Sequence, residues 1–148
     1  MGASPRAGTA DNRAYAGDVT PTEAWEILAG DRRAVLVDVR TMAEWTFVGV
    51  PDLGRLDKQP RLVAWQDFPE MARNPGFAGA LADIDKDATI LFLCRSGGRS
   101  MAAAAAMTAQ GYTDCRNVLE GFEGDLDGDH HRGRTGGWKA AGLPWEQS

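Results

Sequence analysis

The stretch Ala88 to Gln110, reading A-T-I-L-F-L-C-R-S-G-G-R-S-M-A-A-A-A-A-M-T-A-Q, constrains the fold more than any other part of the chain. Thr89 to Leu93 is a continuous uncharged run, the pattern of a strand covered on both faces. The alanine-rich segment from about Gly98 to Gln110 predicts a helix that lies close on a sheet, with Gly111 as its stop. The turn Cys94-Arg95-Ser96-Gly97-Gly98-Arg99 joins the two. Such a turn directs successive backbone N–H groups inward and sits on the positive end of a helix dipole. That field and the two arginines favour the thiolate form of a cysteine placed at its start, which makes Cys94 a candidate nucleophile.

The flanking segments support an alternating pattern of strands and helices. Thr20-Pro21-Thr22-Glu23 combines an N-cap, a first-turn proline and a capping-box glutamate, so a helix follows, with Gly30 suited to its end. Ala34 to Val39 reads as a second buried strand, ending in Asp38-Val39-Arg40. Thr41-Met42-Ala43-Glu44 repeats the capping-box spacing and predicts a short helix with Trp45 and Phe47 packed beneath it. Leu62 to Trp65 is a candidate strand. Phe68 to Ala82, interrupted by Pro69, Pro75, Gly76 and Gly79, supports only a short or broken helix. Cys115 to Leu119 is a last strand, and the chain closes with a short helical turn near Trp138. This alternation predicts an α/β domain with a parallel sheet flanked by helices on both faces. Ligands then belong at the carboxyl ends of the strands, where Arg40 and Cys94 both fall.

Composition narrows the function. A length of 148 residues predicts one domain. The division expected is a flexible tail over 1–17 and a folded domain over 18–148, with a polar insert over 121–137. A net charge of −5 argues against nucleic acid as a partner. No apolar run has the length of a membrane span, and the first residues lack an apolar signal core, so a cytoplasmic protein is expected. Cys94 and Cys115 do not make a disulfide framework, and Cys115 reads as core filler. The segment Asp125-Leu126-Asp127-Gly128-Asp129-His130-His131 does not match the spacing of a calcium loop, and its adjacent histidines do not suit one zinc, so no metal or other cofactor is expected.

Four segments taken in order resemble a single-domain rhodanese. They are Asp38-Val39-Arg40 with Glu44-Trp45, then Cys94-Arg95-Ser96-Gly97-Gly98-Arg99-Ser100, then Gly111-Tyr112 with Asn117-Val118-Leu119-Glu120-Gly121, and finally Gly137-Trp138-Lys139-Ala140-Ala141-Gly142-Leu143-Pro144. The resemblance spans about Asp18 to Trp145. It implies the rhodanese-like fold, with a central five-stranded parallel sheet flanked by helices. It also implies a sulfurtransferase of the thiosulfate type, in which Cys94 becomes a persulfide. The donor would be thiosulfate or a polysulfide, and the acceptor cyanide or a thiol.

On that reading Arg95, Ser96, Gly97, Gly98 and Arg99 form the anion-binding loop, and Asp38, Arg40 and Ser100 support it. Phosphatases of this fold use a loop one residue longer than the four residues between Cys94 and Arg99, which disfavours phosphatase or arsenate reductase chemistry. A sulfur carrier or interaction module, with a partner protein docked at the insert, is the alternative. The segment Phe47-Val48-Gly49-Val50-Pro51-Asp52-Leu53 departs from the family's Gly-His-Ile-Pro-like pattern, so the pocket wall is expected to differ there.

Overall fold

The computed structural model describes residues 14–67, 72–95, 98–124 and 136–147. In chain order these form β1 (Gly17–Val19), α1 (Pro21–Gly30), β2 (Val35–Asp38), α2 (Met42–Val48), β3 (Val50–Pro51), β4 (Arg61–Leu62), β5 (Gln66–Asp67), β6 (Ala72–Arg73), α3 (Phe77–Ala80), β7 (Thr89–Leu93), α4 (Gly98–Ala109), β8 (Asp114–Val118), α5 (Gly137–Ala140) and β9 (Trp145–Glu146). The central sheet has five parallel strands in the order β1-β8-β7-β2-β4. β3 pairs with β9 and β5 with β6, both antiparallel.

Period-2 alternation along β7 divides the interior into two layers. Ile90, Phe92 and Cys94 join Val37, Val39, Phe77, Ala103, Ala104 and Met107 on the α3 and α4 face. Leu91 and Leu93 join Leu36, Ala24, Leu28, Val118 and Trp138 on the α1 and α5 face. A strand buried on both sides must be apolar at every position, which is why Thr89 to Leu93 shows no polar alternation. Ala103 and Ala104 are fully buried, and their small side chains let α4 approach the sheet.

Both predicted capping boxes form. Thr20 and Glu23 exchange bonds at the start of α1, and Thr41 and Glu44 do so at α2. Gly111, at φ +103°, follows α4 as the expected stop. Three features differ from the sequence expectation. Tyr15, Ala16 and Gly17, inside the tail expected over 1–17, are bonded into the fold. Ala16 N–H bonds the Cys115 carbonyl at 2.9 Å, and β1 is the sheet edge beside β8. β1 is only three residues long, too short to show a period. The expected strand over Leu62 to Trp65 is the two-residue β4, continued by single bonds from Val63 and Trp65 N–H to the Asp38 and Val39 carbonyls. Phe47 is not packed beneath α2. It is 76% exposed, and with Met42 and Leu62 it lines an open groove. The apolar residue of α2 that packs against the core is Val48, and Glu44 faces Arg99. The expected tail over 1–13 and the central part of the insert, 125–135, lie outside the described residues.

Candidate active site

Parallel register brings the chemistry-bearing residues to one sheet edge. Asp38 stands opposite Leu93, so Val39 and Cys94 leave adjacent strands side by side. Val39 N–H bonds the Leu93 carbonyl at 2.8 Å. On the other flank Asp18 stands opposite Asn117, which itself stands opposite Phe92. Four strand ends therefore converge at the carboxyl edge around Cys94, as parallel α/β topology requires for a ligand site.

Cys94 is buried, with 1% of its surface exposed. Its Sγ lies 3.3 Å from Ser100 Oγ, in the first turn of α4. Ser100 donates to Asn117 Oδ1, and Asn117 Nδ2 donates to Asp18 Oδ1 at 3.1 Å. The Tyr15 hydroxyl donates to the same Asp18 oxygen at 3.0 Å.

Arg95 is exposed at the mouth of the turn, and Gly98 opens α4. Ser96 and Gly97, expected to supply loop amides, lie outside the described residues. Gly98 has no left-handed φ, and among the described residues a Cβ there would meet nothing within 4 Å. Arg99 turns towards α2. Its Nη1 donates to Glu44 Oε1 at 2.7 Å and its Nη2 to Oε2 at 2.9 Å, a bidentate pair about one-fifth exposed on each side. Burial pushes the Glu44 carboxyl up. The bonds from Arg99 and from Thr41, with the Arg99 charge, outweigh that and hold it down at about 2. The same pairing raises the proton affinity of Arg99 further. The sequence shows Glu44 as a cap residue and as part of the Glu44-Trp45 motif but not as the partner of Arg99; it serves the cap and the loop at once.

Asp38 and Arg40 form a fully buried ion pair. Arg40 Nη2 donates to Asp38 Oδ2 at 2.7 Å and Nε to Asp38 Oδ1 at 2.9 Å. Arg40 Nη2 also donates to the Gly49 carbonyl at 2.7 Å, and the guanidinium stacks 4.2 Å from the Phe122 ring centre. Phe122 N–H in turn bonds the Cys94 carbonyl at 2.8 Å. The pair thus reaches the cysteine turn through Phe122.

The start of the insert is part of this wall. Glu123 and Gly124 N–H both bond the Arg95 carbonyl, at 3.0 and 3.2 Å. Trp138 and Lys139 N–H, at the start of α5, bond the carbonyls of Gly121 and Phe122 at 2.8 and 3.2 Å. Gly121 has φ +62°, and a Cβ there would lie 2.4 Å from the Cys94 carbonyl oxygen. Sequence reading placed Gly121 at the edge of a polar insert. Its only cue was the Asn117 to Gly121 motif, whose glycine the backbone at the cysteine requires. Cys115, by contrast, is fully buried in the core, where burial pushes its thiol up.

A parallel α/β domain with a single cysteine at the central strand-to-helix turn, braced by arginine ion pairs on both sides, is the class that fold and site define. A family model described as a rhodanese-like domain matches residues 20–126. The chain belongs to the rhodanese-like family. A crystal structure of Rv0390 from M. tuberculosis is 50% identical, covering 90% of this chain and 99% of that one, with a TM-score of 0.84. An uncharacterized protein of Rickettsia conorii is 39% identical over 132 residues, 87% of this chain and 96% of its own length. The thiosulfate sulfurtransferase GlpE of Pseudomonas savastanoi pv. phaseolicola is 31% identical over 93 residues, 63% of this chain and 73% of its own. Among the described residues no helix is long and apolar enough to cross a membrane.

Proposed function

We propose that the protein is a sulfurtransferase that carries sulfane sulfur on Cys94. The observation that supports this best is the placement of a buried cysteine at the carboxyl end of the central strand, within reach of Ser100 and beside Arg95 and Arg99. The similarity to GlpE supports the same reaction class.

With thiosulfate as donor, the Cys94 thiolate attacks the outer sulfur. The sulfur–sulfur bond of the donor breaks, and its electron pair leaves with sulfite. The product is a Cys94 persulfide. Cyanide or a thiolate acceptor then attacks the terminal sulfur, and the cysteine sulfur departs as thiolate. A polysulfide donor follows the same course with a shorter polysulfide as leaving group. Arg95, exposed at the mouth, meets the anionic end of the donor. Arg99, held by Glu44, fixes the far side of the turn. The loop amides from Ser96 to Gly98 hold the anionic persulfide. The chemistry needs no metal or other cofactor. Neither Cys94 nor Cys115 is in a disulfide, which suits a reducing compartment, and the reaction is proposed to run in the cytoplasm.

Thiosulfate and polysulfide are each incubated with the protein, and intact mass is recorded. Wild type gains one sulfur atom and returns it to cyanide; Cys94→Ser gains none while retaining its fold. Failure of wild type to gain sulfur from either donor overturns the proposal. The carrier reading predicts a stable persulfide with slow release to small acceptors, and deletion of residues 125–135, which leaves Gly124 in place, would then impair transfer to a partner protein alone.

A further inference from the structure

The cations around the cysteine turn are answered unevenly. Arg40 gives its charge to Asp38 in a fully buried pair. Arg99 sets both terminal nitrogens on Glu44, at 2.7 and 2.9 Å, and that pair is about one-fifth exposed. A bidentate pair held largely out of water presents little net charge to a third ion. Lys139 turns the other way. Its Nζ donates to the Val48 carbonyl at 3.2 Å and lies 3.9 Å from the Trp145 ring centre. Burial lowers its proton affinity, and the charge of Glu123 opposes that. Asp18, behind Ser100 and Asn117, brings a carboxylate and no cation. Arg95 is the exception. It is exposed at the mouth, and among the described residues its side chain meets no carboxylate.

The neutralised cation lies close to the reacting sulfur. The bond from Glu44 does most to raise the proton affinity of Arg99, and the charge of a Cys94 thiolate adds to it. Without the carboxylate that α2 supplies, Arg99 would be a second anion-binding charge beside the sulfur. The turn keeps its hold on one anion through its amides, the N-terminus of α4 and Arg95. What Glu44 removes is the second full positive charge that a dianion calls for.

We propose that Glu44 is a positioning residue that sets the charge of the donor: by neutralising Arg99 it favours sulfane-sulfur donors with one negative charge over the dianion thiosulfate. Organic thiosulfonates are such donors. In them a carbon group replaces one oxygen of thiosulfate together with its charge. The Cys94 thiolate attacks the outer sulfur, the sulfur–sulfur bond breaks, and its electron pair leaves with a sulfinate in place of sulfite. The Cys94 persulfide formed is the same, so the two donors differ in the charge they bring to the mouth and not in what the cysteine receives. The inference rests on the sulfurtransferase reading of Cys94.

The test compares kcat/KM for thiosulfate and for methanethiosulfonate, with cyanide as acceptor and thiocyanate as the product measured. The quantity read is the thiosulfate-to-thiosulfonate ratio, in which the intrinsic reactivity of each donor cancels between variants. Glu44→Gln frees the Arg99 charge and is expected to raise the ratio about tenfold, the effect of one unit charge at a partly wet mouth. Glu44→Asp keeps the charge and is expected to keep the wild-type ratio. Arg99→Gln leaves Glu44 without its counterion and is expected to lower the ratio about tenfold. The double variant Glu44→Gln/Arg99→Gln is neutral again and is expected to return to the wild-type ratio.

A purely structural role slows both donors alike and leaves the ratio where it was. An unchanged or lower ratio in Glu44→Gln overturns the proposal, as does a double variant whose ratio stays with either single variant. Should Glu44→Gln not fold, Arg99→Gln decides, and an unchanged or higher ratio there overturns it. Wild type that draws sulfur from neither donor removes the sulfurtransferase reading itself. Active wild type with an indifferent ratio in Glu44→Gln removes the charge role alone.

Discussion

Replacing Glu44 by Gln tests whether the Arg99 pair holds the cysteine loop. The Glu44 carboxyl lies at about 2 in the fold against an ordinary value of 4.5. At about 1.4 kcal/mol per tenfold change in proton affinity, that lowering is worth about 3 kcal/mol. The sign follows from the direction. A carboxyl depressed on folding contributes its full stabilisation above its unfolded value of about 4.5 and loses it as pH falls towards 2. Wild type should therefore lose about 3 kcal/mol of stability through this group between roughly pH 5 and pH 2.

Glutamine keeps the size and one acceptor but cannot carry the charge, so Glu44→Gln should be less stable at pH 7, by about 1–3 kcal/mol. Its stability should also fall less steeply with acid than that of wild type. Urea unfolding at pH 7, 5, 4 and 3 measures both quantities. Equal acid slopes in the two proteins, or equal stability at pH 7, would refute the assignment of the shift to the bonds of Glu44 with Arg99 and Thr41.

Three further outcomes are expected. Asp38→Asn leaves Arg40 charged, buried and without its counterion, and should cost about 3–5 kcal/mol in urea unfolding. Gly121→Ala combines about 1 kcal/mol of left-handed backbone cost with a Cβ 2.4 Å from the Cys94 carbonyl, so sulfur transfer should fall by more than stability does, as turnover and unfolding measured together would show. Arg95→Ala, at an exposed position, should leave stability unchanged and raise the KM for thiosulfate about tenfold while leaving turnover nearly intact.

The parts of this molecule that the sequence makes legible are those governed by local rules. The run Thr89 to Leu93 coincides with β7 residue for residue, and the alanine-rich segment is α4 to within one residue. Both capping boxes are set by side chains three residues apart and form as expected. The convergence of Asp38-Val39-Arg40 with Cys94 follows from parallel topology alone.

What was not legible depends on pairings across long separations. β1 has three residues and no period of its own, and its register with β8 is what sets Asp18 opposite Asn117. Glu44 satisfies a local cap and a remote arginine together, and the local pattern conceals the second role. Arg99 looks like a free cation in the loop until α2 places a carboxylate against it. The glycine at 121 resembles an ordinary turn residue, since nothing nearby in sequence shows the Cys94 backbone pressed against it. Phe47 was expected inside because it is apolar, yet the groove beside α2 leaves it open.

The most direct test of the central claim is the mass of the intact protein after exposure to thiosulfate or polysulfide, with the modified residue located by peptide mapping. The account predicts one added sulfur atom on Cys94, none on Cys115, and its loss when cyanide is added. No added sulfur from either donor, or sulfur on Cys115 in place of Cys94, would contradict it.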